Sequence, residues 1–151
     1  PDMLRAVVNI ALGTDGMSSH NSADFFSDLK LAACLHKGIR RDPTAVTARQ
    51  ALYMATAGGA LALGRRDTGR IVPGYRADLI LVDFEAANLV PCHDIAENLV
   101  FAAHGANVVM NMARGKIIYK DGTFFTLDLE RIKAEVETYA LPLVFGGSPT
   151  T

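Results

Sequence analysis

The chain has 151 residues, the length of one ordinary domain, and half of its side chains are apolar, which is enough to bury a core. Fifteen Lys and Arg against sixteen Asp and Glu leave a formal charge of -1; this excludes the electrostatic footprint of a nucleic-acid or membrane-surface binder and favours a small neutral or polar partner. Cys34 and Cys92 lack CxxC spacing, which argues against a zinc knuckle, a redox motif or a disulfide framework and fits reduced thiols in the cytoplasm.

In chain order, Val7 to Leu12 ("VVNIAL") is a β-branched and aliphatic run closed by Gly13, the pattern of a strand covered on both faces in a parallel α/β sheet. Ser22 then caps a predicted helix through Lys37, with Asp24 and Asp28 early, His36 and Lys37 late, and Gly38 as the stop. Its apolar stripe is Phe25, Phe26, Leu29, Ala32 and Ala33. Thr47 and Gln50 fit a capping box opening a short helix to about Ala55, and Thr56 caps another that ends at Gly64. The charge-free run Ala51 to Gly64 has the length of buried helix rather than of a membrane span. The Gly58-Gly59 pair lacks a GxGxxG or Walker context and reads as close helix packing.

Beyond Arg65 the pattern changes. A loop through Gly74 leads to a predicted strand, Ala77 to Phe84, then a looser segment to His104. Asn107 to Ala113, Lys116 to Lys120 and Thr123 to Thr126 read as strands joined by Arg114-Gly115 and Asp121-Gly122 turns, a meander. Asp128 caps a last helix with Leu129, Ile132, Val136 and Tyr139 on one face, before a Gly/Ser/Pro/Thr tail expected to fray.

A side chain at the carboxyl end of a buried parallel strand points into the mouth of a sheet or barrel, where α/β enzymes place their sites, and Asp15 holds that position. An Asx-turn beside Gly16 is the structural alternative. His20 is the one histidine near Asp15 in sequence and otherwise reads as a solvent-facing loop residue; His36 reads as a helix-dipole partner, and His93 and His104 as structural groups of the β-rich part.

Four blocks together, "LGTDGMSSHNSADFFSDLKLAACLHKG", "TARQALYMATAGGALALG", "GRIVPGYRADLILVDF" and "ENLVFAAHGANVVMNMARGKIIYKDG", resemble the carboxyl-terminal part of the metal-dependent amidohydrolase superfamily. The resemblance is strongest to the branch of S-adenosylhomocysteine/methylthioadenosine deaminases, guanine deaminases and triazine chlorohydrolases, and covers roughly residues 7 to 128. It implies an α/β fold: the end of a (β/α)8 barrel (strand 8 and the helices after it) in residues 1–66, part of a small β-sandwich in 67–126, and a carboxyl-terminal helix and tail in 127–151. It implies that Asp15 is a metal ligand and catalytic proton shuttle, and that Ser19 lies at a loop position able to face the substrate.

The implied chemistry gives a reason for a carboxylate at that place. Hydrolysis of an aminated or halogenated heteroaromatic carbon needs hydroxide at neutral pH, and a zinc or iron ion provides it by lowering the pKa of bound water toward roughly 7. A carboxylate beside that water can accept the proton and pass it to a leaving amine. The resemblance also implies an HxH pair and two further histidines as ligands, and no HxH occurs here. A whole barrel takes roughly 250 residues. The start at Pro1, directly ahead of an apolar run, adds to the expectation of a fragment that is catalytically incomplete alone, with its metal-binding histidines upstream.

The partners expected are a small heteroaromatic substrate and either a second copy or the amino-terminal remainder, because an unpaired strand 8 exposes open edges and apolar surface. Two alternatives stay open: a chlorohydrolase or other C–N hydrolase of the same superfamily, and a non-catalytic binding or structural module that reuses the segment.

Overall fold

The computed structural model describes residues 1–146; residues 147 to 151, which hold the end of the predicted tail, lie outside the described residues. The architecture is mixed α/β. A helical cluster is formed by α1 (Asp2–Arg5), α2 (Phe25–Arg40), α3 (Ala48–Ala55), α4 (Ala57–Ala62) and, after the first strand, α5 (Ile95–Phe101). An antiparallel sheet in the order β1-β2-β3-β4 is made of β1 (Leu79–Val82), β2 (Val108–Ala113), β3 (Lys116–Lys120) and β4 (Thr123–Phe124). A final helical arm carries α6 (Leu129–Glu135), a π-turn over Val136–Ala140 and α7 (Leu141–Phe145).

The apolar run Val7 to Leu12 does not pair as a strand. Val7 sits at φ 57° and is 91% exposed, and the segment is held instead against α3 and α4, by Leu12 N donating to Met54 O (3.2 Å) and Asn9 Nδ2 donating to Gly58 O (3.0 Å). The physical reason is direct: the described residues offer no parallel neighbour, and an isolated strand cannot satisfy its backbone groups. Ile10 and Leu12 still turn inward onto the core. Gly58 is required here, since a Cβ at that position would stand 2.7 Å from the Ile10 carbonyl oxygen. The close packing expected of the glycine pair is therefore present at Gly58.

Helix α2 is displaced from its predicted span by two residues at its start and three at its end. Asp24, not Ser22, is the N-cap, accepting from Phe26 N at 3.0 Å, while Ser22 Oγ accepts from Asp24 N at 3.0 Å. Gly38 lies inside the helix, and Arg41, at φ 51°, ends it in the left-handed conformation. Pro43 follows two residues later and prevents continuation. The capping box at α3 is complete: Gln50 N donates to Thr47 Oγ1 (3.2 Å) and Thr47 N to Gln50 Oε1 (2.9 Å). Thr56 does not cap α4 with its side chain, because its hydroxyl donates back to Leu52 O at 2.6 Å.

Leu29 and Ala33 of α2, Ala48, Ala51 and Met54 of α3, and Ala96 and Val100 of α5 form the buried core with Val46. Small residues dominate the contact faces, so the three helices approach closely. The segment after Phe84, read from sequence as loose, contains α5; Asp94 caps it by accepting from Glu97 N at 3.0 Å. Its short length and its Pro91 and Cys92-His93 lead-in conceal the helical period.

The meander is observed with its turns as expected. Arg114 (φ 51°) with Gly115 (φ 77°), and Asp121 (φ 46°) with Gly122 (φ 83°), supply two consecutive positive-φ residues each, the requirement of type I′ hairpin turns whose twist matches the strands. The paired strands are shorter than predicted: Leu79–Val82 within Ala77 to Phe84, and Thr123–Phe124 within Thr123 to Thr126. The sheet joins the helical cluster through Asn88 and Asn107, which exchange two amide hydrogen bonds of 3.0 Å, and through buried Leu89, whose carbonyl accepts from Asn98 Nδ2 at 2.7 Å.

Two predictions follow from this packing. Leu89 is fully buried at the junction of sheet and α5, so Leu89→Ala should cost about 2–5 kcal/mol in urea unfolding, without a change in helix content of the folded state. Asp42, Asp78 and Asp94 have their pKa values lowered, chiefly by hydrogen bonds from the Thr44 side chain, the Arg114 backbone and the Glu97 backbone respectively. A lowered native value means that the stabilisation is full above the ordinary aspartate range of about 3.9 and is lost as pH falls below it through the native values. Urea midpoints measured at falling pH should therefore decline below about pH 4, and less steeply in Asp94→Asn.

Candidate functional site

Asp15 follows the apolar segment that α3 and α4 hold in place. It is exposed and left-handed, at φ 62°, and its Oδ1 accepts from Gly16 N at 2.7 Å. That is the local turn weighed as the alternative for this residue, and it engages one carboxylate oxygen. Oδ2 has no hydrogen-bond partner among the described residues. Beyond Asp15 the chain closes a tight turn, with Ser19 N and His20 N both donating to Gly16 O at 2.9 and 3.1 Å. Ser19 is exposed in this turn, so Asp15 and Ser19 share one solvent-facing loop.

His20 is not a free loop histidine. Its Nδ1 accepts from Ser22 N at 3.0 Å, which places the ring proton on Nε2, and Nε2 donates to Asp28 Oδ1 of α2 at 3.0 Å. The His20 and Asp28 side chains are 30% and 13% exposed. Asp28 Oδ2 is buried and has no partner among the described residues. Sequence reasoning missed this pair, because Asp28 reads equally well as a helix-dipole carboxylate, and the eight-residue separation follows the path of a loop rather than a helical period. The only signal was composition: a histidine and a carboxylate flanking the same predicted helix start.

The other histidines are dispersed. His36 lies within α2, His93 in the exposed lead-in to α5, and His104 at the start of the turn before β2. No group of three His, Cys, Asp or Glu among the described residues could hold a metal ion. One exposed carboxylate with a single uncommitted oxygen does not satisfy a zinc site, which takes three or four protein ligands. The residues of this chain do not by themselves fit such an ion. Both cysteines are free and exposed, and no described helix is long and apolar enough to cross a membrane.

With this geometry in hand, comparison with known proteins is decisive about ancestry. The sequence pattern described as the amidohydrolase family matches residues 1–118, more than half of the chain. The chain belongs to the amidohydrolase family. The 5-methylthioadenosine/S-adenosylhomocysteine deaminase of Pelotomaculum thermopropionicum is 45% identical over 143 residues, covering 95% of this chain and 33% of that protein. An adenosine deaminase from Xanthomonas campestris solved with bound zinc superposes with a TM-score of 0.89 at 35% identity, over 95% of this chain and 33% of its own. An atrazine chlorohydrolase of Arthrobacter aurescens complexed with zinc gives a TM-score of 0.82 at 30% identity, over 89% and 30%. This amidohydrolase chain thus spans about a third of the length of the relatives it matches.

The donor set of the described residues sets an expectation for metal retention. Purified as these 151 residues and dialysed against a chelator, the chain should hold well under one equivalent of zinc by elemental analysis. Zinc retained stoichiometrically would mean that Asp15 and His20 reorganise into a site that the fold does not display.

Proposed function

We propose that this chain is the carboxyl-terminal portion of a metal-dependent aminohydrolase that removes an amino group from a purine-like or related heteroaromatic ring, releasing ammonia. The observation that carries the reading is the 45% identity to a methylthioadenosine/S-adenosylhomocysteine deaminase over 95% of the chain, in a segment whose exposed Asp15 keeps one carboxylate oxygen uncommitted. The chlorohydrolase resemblance, at 30% identity, is the second reading; the higher identity to deaminases favours loss of an amine over loss of chloride.

In this proposal residues 1–66 belong to the end of a (β/α)8 barrel, 67–126 to part of a β-sandwich, and 127–151 to a carboxyl-terminal helix and tail. Asp15 would contribute one ligand to a divalent ion, zinc or iron, that residues outside this chain would chiefly hold. Its Oδ2 is the atom that takes a proton from the attacking water and returns it to the leaving amine, so that water adds to the ring carbon as ammonia departs. Ser19, on the same turn, meets the substrate. The apolar residues Val7, Leu31, Leu35 and Ile39 are each about half exposed or more. Leu31, Leu35 and Ile39 repeat every four residues on the outer side of α2, a stripe of the kind that packs against further structure. The remainder of the enzyme, or a second copy, covers it, and the enzyme works in the cytoplasm on a soluble small molecule.

The test is an assay of the whole protein against adenosine, 5′-methylthioadenosine and S-adenosylhomocysteine, with ammonia release as the readout. Asp15→Asn, which preserves shape and removes the proton acceptor, should lower kcat by about 10²–10⁴-fold. Chloride release from a chlorotriazine without ammonia release from any nucleoside would select the second reading.

A further inference from the structure

The pair formed by His20 and Asp28 is left unused by the proposed reaction, yet among the described residues it is the one side-chain link between the Asp15 turn and α2. We infer that His20 is a positioning residue: through Asp28 it pins the Asp15–His20 turn to α2 and thereby sets where Asp15 and Ser19 point. The inference rests on the proposed reaction for its catalytic consequence, and on the geometry alone for the restraint itself.

Three observations carry it. Both ring nitrogens of His20 are engaged, Nδ1 by the Ser22 amide and Nε2 by Asp28 Oδ1, each at 3.0 Å, so the ring has a single orientation and tautomer. Asp28 is anchored, because the next residue, Leu29, is 4% exposed in the core and Asp24 caps the same helix. The remaining hydrogen bonds of the turn among the described residues are local, from Ser19 N and His20 N to Gly16 O, from Gly16 N to Asp15 Oδ1 and from Thr14 Oγ1 to Asp15 O. These close the turn upon itself without fixing it to anything else. The imidazole therefore spans the gap between a mobile type of element, an exposed turn, and a fixed one.

Asp28 Oδ2 adds a reason for the bond to persist. It is buried with no partner among the described residues, so the His20 Nε2–H is the hydrogen bond this carboxylate possesses. Losing it would leave a largely buried carboxyl group without its side-chain donor. A near-attack geometry is sensitive to displacements of about 1 Å, which a loosened turn readily exceeds.

The experiment uses the whole protein and reads hydrogen exchange across residues 16–22 together with steady-state deamination. In His20→Ala and in Asp28→Ala, exchange at the Ser19, His20 and Ser22 amides should rise about tenfold. In both, kcat should fall about tenfold with a smaller change in KM, while the double variant is no worse than either single one. His20→Gln, which can still offer an amide donor toward Asp28, should restore part of both losses. Unchanged exchange in His20→Ala overturns the inference, and so does a loosened turn with kcat intact. A wild-type protein that hydrolyses none of the substrates refutes the proposed reaction, and the exchange measurement still decides the restraint.

Discussion

The carboxylate of Asp24 is the constraint from which the arrangement around Asp15 follows. One oxygen caps α2 at the Phe26 amide and the other accepts from Gly105 N at 3.0 Å, across 81 residues of sequence. A single side chain thus fixes the start of the longest described helix to the turn that lies between α5 and β2. Hydrogen bonds accepted by a carboxylate are stronger than those between neutral groups. With that end of α2 fixed, Asp28 stands one turn further along the helix, within reach of His20. The loop bearing Asp15 is then determined at its far end.

Its near end is fixed by a different principle, close packing. The segment Asn9 to Leu12 crosses the ends of α3 and α4 because Gly58 lets the Ile10 carbonyl approach and because Leu12 N and Asn9 Nδ2 find helix carbonyls at Met54 and Gly58. An apolar run with no strand beside it would otherwise be left with unpaired amides. Asp15 is consequently suspended between a packed segment and a hydrogen-bonded one, in a left-handed conformation whose cost its own Asx-type bond to Gly16 helps to offset.

The surface has a matching logic. A chain with a well-packed centre nevertheless leaves Val7, Ile71, Leu63 and Phe145 between 77 and 91% exposed, and the helical arm from Leu129 presents Ile132, Val136, Tyr139 and Leu143 around one shallow apolar groove. Exposure of isolated apolar residues is ordinary; repetition along α2 and along the arm is not. In the proposed function, such faces are covered by the rest of the enzyme or by a second copy.

What the sequence determined by itself is everything set by local chemistry. The Thr47–Gln50 capping box, the Asp128 cap and the Arg114-Gly115 and Asp121-Gly122 turns each depend on residues within a few positions of one another, and each is present as written. The amidohydrolase pattern around Asp15 was readable for the same reason, being carried by contiguous blocks. Tertiary structure alone decided three matters: whether Val7 to Leu12 could be a strand, where α2 begins, and whom His20 meets. Pairing requires a neighbouring strand, Asp24 as the α2 cap is further tied to Gly105 across the fold, and the His20–Asp28 bond requires a loop path. Each depends on a partner brought close by folding, which no spacing along the chain encodes.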